Sequence, residues 1–331
     1  MSSGAILGPV IYGFLSVTFG AQYGFIFAAM ALAWVAWFYS RYLGLYQSVE
    51  QSQSHHTSKR TIAYLYLGTL PVIALIYLLL THLKLFDDVA FCVGGLTIIA
   101  VLAIAFFQKQ DDLKKMIFLL LLNMFAIFYY ACLNQISSSV MLFISLYSHS
   151  GHLAAKIPSQ IFAALEPTFG IISAPFLAKY LASAVHKLRF NRLLLLKVFL
   201  GLLAACLSFW LFKLAADVGA HDQSWFFFGI IIGNFFLGIG EMLIGPALLS
   251  AVAYLIIKKY QGTFMGIWSL FIAFSGYFGA WIARVTAVEG TNIESIALFS
   301  KAFGIIALMM VGVLLVFVLL QPLFKTLVAD V

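Results

Sequence analysis

Two carboxylates stand where a carboxylate is costly. Glu241 sits in Gly238-Ile239-Gly240-Glu241-Met242-Leu243-Ile244-Gly245-Pro246, inside the long apolar run 225–257. Glu166 sits in Leu165-Glu166-Pro167, inside the apolar run 158–182, with Pro175 further on. The other acids fall in loops or at the ends of apolar runs. An ionisable group at bilayer depth is a functional candidate, because burying its charge is expensive. Its chemistry is to take up and release a proton, or to pair with a cationic ligand. Glycines around Glu241 let another backbone approach, and Pro246 removes a helix donor five residues on. Pro167 and Pro175 predict a bend in the helix carrying Glu166. The plainer readings are a protonated acid bonded to a neighbouring helix for Glu241, and a local backbone-capping acid for Glu166.

A polar stripe supplies the second constellation. Asn134, Gln135, Ser137, Ser138 and Ser139 follow Phe128, Tyr129 and Tyr130. Polar groups on a membrane helix must face protein or a cavity. Amides, hydroxyls and tyrosines together suit a ligand with a polar backbone and apolar side chains. The competing reading is hydrogen bonding between helices.

The elements that position these groups follow from composition. Of 331 residues, 63% are hydrophobic and 9% charged. A soluble domain carries about 25% charged residues, so most of this surface must face lipid. The fold class is an all-α polytopic membrane protein. A hydrocarbon core about 30 Å thick needs about 20 apolar residues per helix. Ten spans meet that need, at approximately 4–20, 23–43, 61–81, 89–107, 116–147, 158–182, 193–215, 225–257, 263–284 and 299–323. The net charge of +7 does not point to nucleic acid, because the basic residues lie between apolar runs. With the N-terminus in the cytoplasm, fourteen of the nineteen Lys and Arg fall inside; Lys84, Lys156, Lys213, Arg284 and Lys301 fall outside. That is the positive-inside pattern of an inner (plasma) membrane protein with both termini cytoplasmic. No basic region precedes the first apolar run, so no cleavable signal peptide is expected.

Other chemistry is excluded by what is missing. The sequence has no HExxH, GxSxG, GxxxxGK[ST] or CxxC pattern, so no enzyme, metal or cofactor is expected. Cys92, Cys132 and Cys206 each lie in an apolar run without metal-ligand spacing, as small packing residues do. His55 and His56 sit in the polar stretch near 47–60 without a third ligand nearby. The third and fourth spans carry little polar content and are expected to form a hairpin facing lipid.

Four ungapped blocks resemble the proton-dependent oligopeptide transporter family of the major facilitator superfamily. The family's seventh helix reads roughly F-W-A-x-x-E-Q-x-G-S-S; here it is Tyr129-Tyr130-Ala131-Cys132-Leu133-Asn134-Gln135-Ile136-Ser137-Ser138-Ser139. The eighth reads roughly I-P-x-x-x-F-Q-S-L-N-P, then A-P; here Ile157-Pro158 leads to Leu165-Glu166-Pro167 and Ala174-Pro175. The tenth, G-E-L-x-x-S-P-x-G-L-S, is similar to Gly240-Glu241 through Pro246 to Leu249-Ser250, and the eleventh, M-G-x-W, to Met265-Gly266-Ile267-Trp268. Gly4-Ala5-Ile6-Leu7-Gly8-Pro9, Gly13 and Gly24-Phe25 resemble the fifth and sixth helices.

The resemblance implies a partial major facilitator fold of about ten transmembrane helices. Residues 1–46 would be the last two helices of an N-terminal bundle and 47–60 a cytoplasmic linker. Residues 61–108 would be an accessory hairpin and 109–331 a C-terminal six-helix bundle. It implies a proton-coupled di- or tripeptide symporter in an N-terminally truncated form, with peptides, protons and the bilayer as partners. A separate chain, or an earlier start than Met1, would then supply the first four helices. Glu241 would pair with the peptide's amino group. Tyr130, Ser138 and Trp268 would line side-chain pockets, with Gln135 and Ser139 as hydrogen-bond partners. Two departures stand out. The family's Glu-x-x-Glu-Arg motif and the lysine facing the helix-ten glutamate belong to the missing helices. The helix-seven acid is Asn134, which cannot titrate, while the helix-eight asparagine is Glu166. The carboxylate has moved to a neighbouring helix, and Glu166 with Glu241 is expected to couple protons. The alternatives are a relative carrying another small solute and an inactive or split remnant.

Overall fold

The computed structural model describes residues 2–50, 59–82, 110–149, 158–185, 190–218, 222–256, 258–285 and 293–327, with scattered positions between 85 and 103. The described residues are almost wholly helical. Seven helical runs are long and apolar enough to cross a membrane. Most of the fourth predicted span, the centre of the 47–60 stretch with His55 and His56, and Ile157 lie outside the described residues.

Helix α1 (Ser2–Thr18) turns into α2 (Ala21–Glu50). The turn uses Gly20 at φ 104°, a backbone that residues with a Cβ seldom adopt. Helix α2 runs past the start of the expected linker. Helix α3 (Lys59–Thr81) follows. Its Leu67, Val72, Ile73 and Tyr77 are exposed. At least one point of the next segment touches the rest of the protein: a Cβ on Gly94 would lie 2.4 Å from the Phe274 ring.

The core begins at α4 (Gln110–Leu133). A π-helical segment, Ile136–Val140, joins it to α5 (Met141–His149). The next expected span is broken. Helix α6 (Ser159–Ala163) ends at Ala164, and α7 (Leu165–Val185) restarts at once. Pro167 explains this break. In the first turn of α7 its missing N–H costs nothing, whereas in an unbroken helix its ring would strike the carbonyl of Ala163. Helices α8 (Phe190–Val218), α9 (Gln223–Leu255), α10 (Lys258–Val285), α11 (Ile293–Leu319) and α12 (Gln321–Leu327) complete the chain. Asp222 caps α9, its carboxylate accepting from the Ser224 N–H at 2.8 Å.

Packing is most extensive between α8 and α9, then between α8 and α11, α7 and α9, and α4 and α10. Glycines allow the closest approaches. A Cβ on Gly229 would lie 2.6 Å from the Leu211 carbonyl oxygen, and one on Gly201 would lie 2.5 Å from the Ile244 side chain. Small residues at such crossings are how membrane helices gain dispersion contact without a hydrophobic driving force. Aromatic rings fill the remaining space. Phe143 meets Phe226, Phe299 and Phe303, and Tyr147 stacks on Phe226 with centroids 3.7 Å apart.

Candidate functional site

Gly238 builds the site. An added Cβ there would lie 2.5 Å from the backbone oxygen of Glu166 and 2.8 Å from the backbone nitrogen of Gly170. Helices α7 and α9 therefore touch backbone to backbone at the turn that carries Glu166. Glu241 is three residues on from Gly238, on the same face of α9. The crossing therefore places Glu241 one helical turn from the contact with the Glu166 backbone. Glu166 is only 8% exposed, and its Oε1 has no partner within the protein. Glu241 is partly exposed.

The break before α7 also shapes this pair. It puts Glu166 in the first turn of a 21-residue helix, where backbone N–H groups and the helix dipole favour negative charge. Helix α9 runs unbroken through Pro246. That proline leaves the carbonyl of Met242, beside Glu241, without its in-helix donor. Two carboxylates on touching helix turns cannot both ionise at low cost in a poorly solvated site; a proton on one removes the repulsion. The arrangement can hold a proton, and it can exchange that proton for a cationic ligand group.

Helix α4 closes the site from the other side. Tyr129 is fully buried, and its hydroxyl donates to the carbonyl of Leu237. Its ring lies over Gly240, where a Cβ would approach within 2.6 Å. Tyr130 is half-buried, with its hydroxyl 2.9 Å from a Cβ built on Gly245. Its ring meets Trp268 edge-on at 5.7 Å. The structure thus brings Glu166, Glu241, Tyr130 and Trp268 around one region of α4, α7, α9 and α10.

Gln135, Ser138 and Ser139 form a second group. Gln135 is completely buried, and its Nε2 donates to the Gly279 carbonyl at 2.8 Å and the Ala131 carbonyl at 3.2 Å. Its Oε1 accepts from Ser139 at 2.9 Å and from Ser138 at 3.3 Å. These groups are spent on each other and on α10. Ser138 is half-buried, and Asn134 and Ser137 are exposed. The π segment begins directly after Gln135, so the network sits where the helix leaves α geometry. Such insertions are frequent at functional sites.

Sequence reasoning grouped Tyr129 with the ligand-facing tyrosines, whereas the structure spends its hydroxyl on the Leu237 backbone; it passed over Asn234. Asn234 is fully buried, with Nδ2 donating to the Ile230 carbonyl at 2.8 Å and Oδ1 unpartnered. It precedes Glu241 by two helical turns, so the two share a face.

The chain is 25% identical over 326 residues to dipeptide and tripeptide permease B of Salmonella typhimurium, covering 96% of this chain and 64% of the permease. It is 30% identical over 227 residues to dipeptide and tripeptide permease B of Yersinia enterocolitica, covering 65% of this chain and 45% of that protein. The chain thus spans about half to two-thirds of the length of these relatives. A crystal structure of a POT family transporter in complex with 5-aminolevulinic acid aligns with 98% of this chain and 67% of its own, at TM-score 0.71 and 17% identity. A peptide transporter POT in complex with sulfate aligns with 98% and 66%, at TM-score 0.68 and 20% identity. Both show the fold alone. The sequence profile of the POT family matches residues 1–298. With its apolar helices packed through glycines and this profile matching most of its length, the chain is a member of the POT family of membrane transporters.

Proposed function

We propose that this chain forms the larger part of a proton-coupled di- or tripeptide symporter of the inner (plasma) membrane, with both termini cytoplasmic. The carboxyls of Glu166 and Glu241 carry this reading. With Asn134 unable to titrate, these are the two carboxyls well inside the described apolar runs, and the helices that carry them pack together. Glu241, the more accessible partner, takes the peptide's amino group. The proton then resides on Glu166 and leaves it as the peptide leaves. Tyr130, Trp268 and Ser138 line the space for side chains. Gln135 and Ser139 shape that space by tying α4 to α10.

Further apolar helices belong to this reading. From Ala21 to Tyr42 nearly every residue of α2 is exposed, and α1 is its main contact. Helices that cover this face would supply the other half of an alternating-access cycle. They come from the same polypeptide or from a second one. A related solute bearing an amino group is the second reading, favoured by the 5-aminolevulinic acid bound to a structural neighbour.

The test is accumulation of a labelled dipeptide by proteoliposomes holding the complete transporter under an imposed pH gradient. Glu166→Gln is expected to abolish accumulation while peptide counterflow persists. Unchanged accumulation in that variant overturns the assignment.

A further inference from the structure

We propose that Tyr129 is a positioning residue for the Glu166–Glu241 pair, acting through the carbonyl of Leu237; this rests on the pair being the proton site. In an α-helix the carbonyl of residue 237 accepts the N–H of residue 241. The Tyr129 hydroxyl donates to that same carbonyl. It therefore clamps the turn of α9 that ends on Glu241. Its ring fixes the turn from above, since Gly240 leaves no room for a Cβ beneath it.

The hydroxyl has a second property. A phenol has one proton to give, and this one is spent on Leu237. Toward anything else the oxygen can only accept, so it can bond a carboxyl O–H and offers nothing to a carboxylate. The titratable groups whose fields reach Tyr129 are Glu166 on α7, Glu241 on α9, and Tyr130 and Cys132 on its own helix. Tyr129 thus touches α9 at Leu237 and Gly240, one turn and one residue before Glu241. It holds α9 so that the Glu241 carboxyl stays aimed at Glu166.

The test is acid-minus-alkaline infrared difference spectroscopy of the full chain in nanodiscs. In the wild type, one carbonyl-stretch band of a protonated carboxyl is expected to change in both Glu166→Gln and Glu241→Gln. Tyr129→Phe keeps the ring and removes the hydroxyl. It is expected to broaden that band and move it to higher frequency, with helix content unchanged. Gly240→Ala, whose Cβ would meet the Tyr129 ring at 2.6 Å and its hydroxyl at 2.9 Å and so displaces both without removing either, is expected to move the band the same way and serves if the Phe variant does not fold. A band identical to wild type in both variants, while each Glu variant alters it, overturns the role of Tyr129 and leaves the pair standing. Absence of any band sensitive to the Glu variants removes the pair itself, and the role of Tyr129 with it.

Discussion

At the residue scale, chemistry and architecture divide between neighbours on one helix. Tyr130 and Ser138 keep surface open, whereas Gln135 has all its polar atoms engaged between α4, the π segment and α10. Gln135→Leu keeps the bulk and loses the bond to Gly279. Hydrogen bonds between membrane helices are worth about 0.6 kcal/mol on average and up to about 1.7 kcal/mol. We expect a stability loss in that range, read from the midpoint of SDS-induced unfolding. An unchanged midpoint would show the bond to be dispensable. Glu166 and Glu241 stood out in the sequence as charges in apolar runs, while Trp268 was singled out by the family resemblance; the structure puts Trp268 against Tyr130. That Gln135 is structural was not legible, since an amide reads the same whether it meets a ligand or a carbonyl. Tyr129 was hidden for a similar reason: its hydroxyl acts on a backbone carbonyl 108 residues away.

At the element scale, the spans were legible from length and apolarity, and their interruptions were not. Residues 116–147 read as one span and contain the π segment, because a one-residue insertion in the hydrogen-bond ladder leaves hydropathy unchanged. Residues 158–182 were expected to bend, and the interruption falls at Ala164, because Pro167 is tolerated at the start of a helix and not within one. The break and Gly238 together bring the two carboxyl-bearing turns into contact. Gly238→Ala tests this directly. Its Cβ would meet backbone atoms of α7 at 2.5 and 2.8 Å, so the helices must separate. Overpacking of this kind costs about 1–3 kcal/mol. We expect that loss in SDS unfolding, together with disappearance of any carboxyl band shared by Glu166 and Glu241. A shared band that survives would show that the pair does not depend on this crossing.

At the scale of the whole molecule, charge placement and the exposed α2 make separate demands. The orientation proposed from the Lys and Arg distribution puts Asp222 outside and Thr326 inside. Among the described cysteines, Cys92 is exposed while Cys132 and Cys206 are buried. In a Cys92→Ser background, a membrane-impermeant thiol reagent added from outside should label Asp222→Cys and spare Thr326→Cys. The reverse pattern would invert the topology. The exposed apolar face of α2 was not legible, because an apolar span reads the same whether lipid or protein covers it.

The account stands or falls on whether the displaced carboxylate carries the proton. The most direct measurement is peptide-induced proton entry into proteoliposomes of the complete transporter, followed with an internal pH-sensitive dye, in wild type and Glu166→Gln. The account predicts proton entry on peptide addition in the wild type. It predicts none in the variant, which still exchanges labelled peptide across the membrane. Proton entry in the variant at the wild-type ratio to peptide would contradict it and place the coupling site elsewhere.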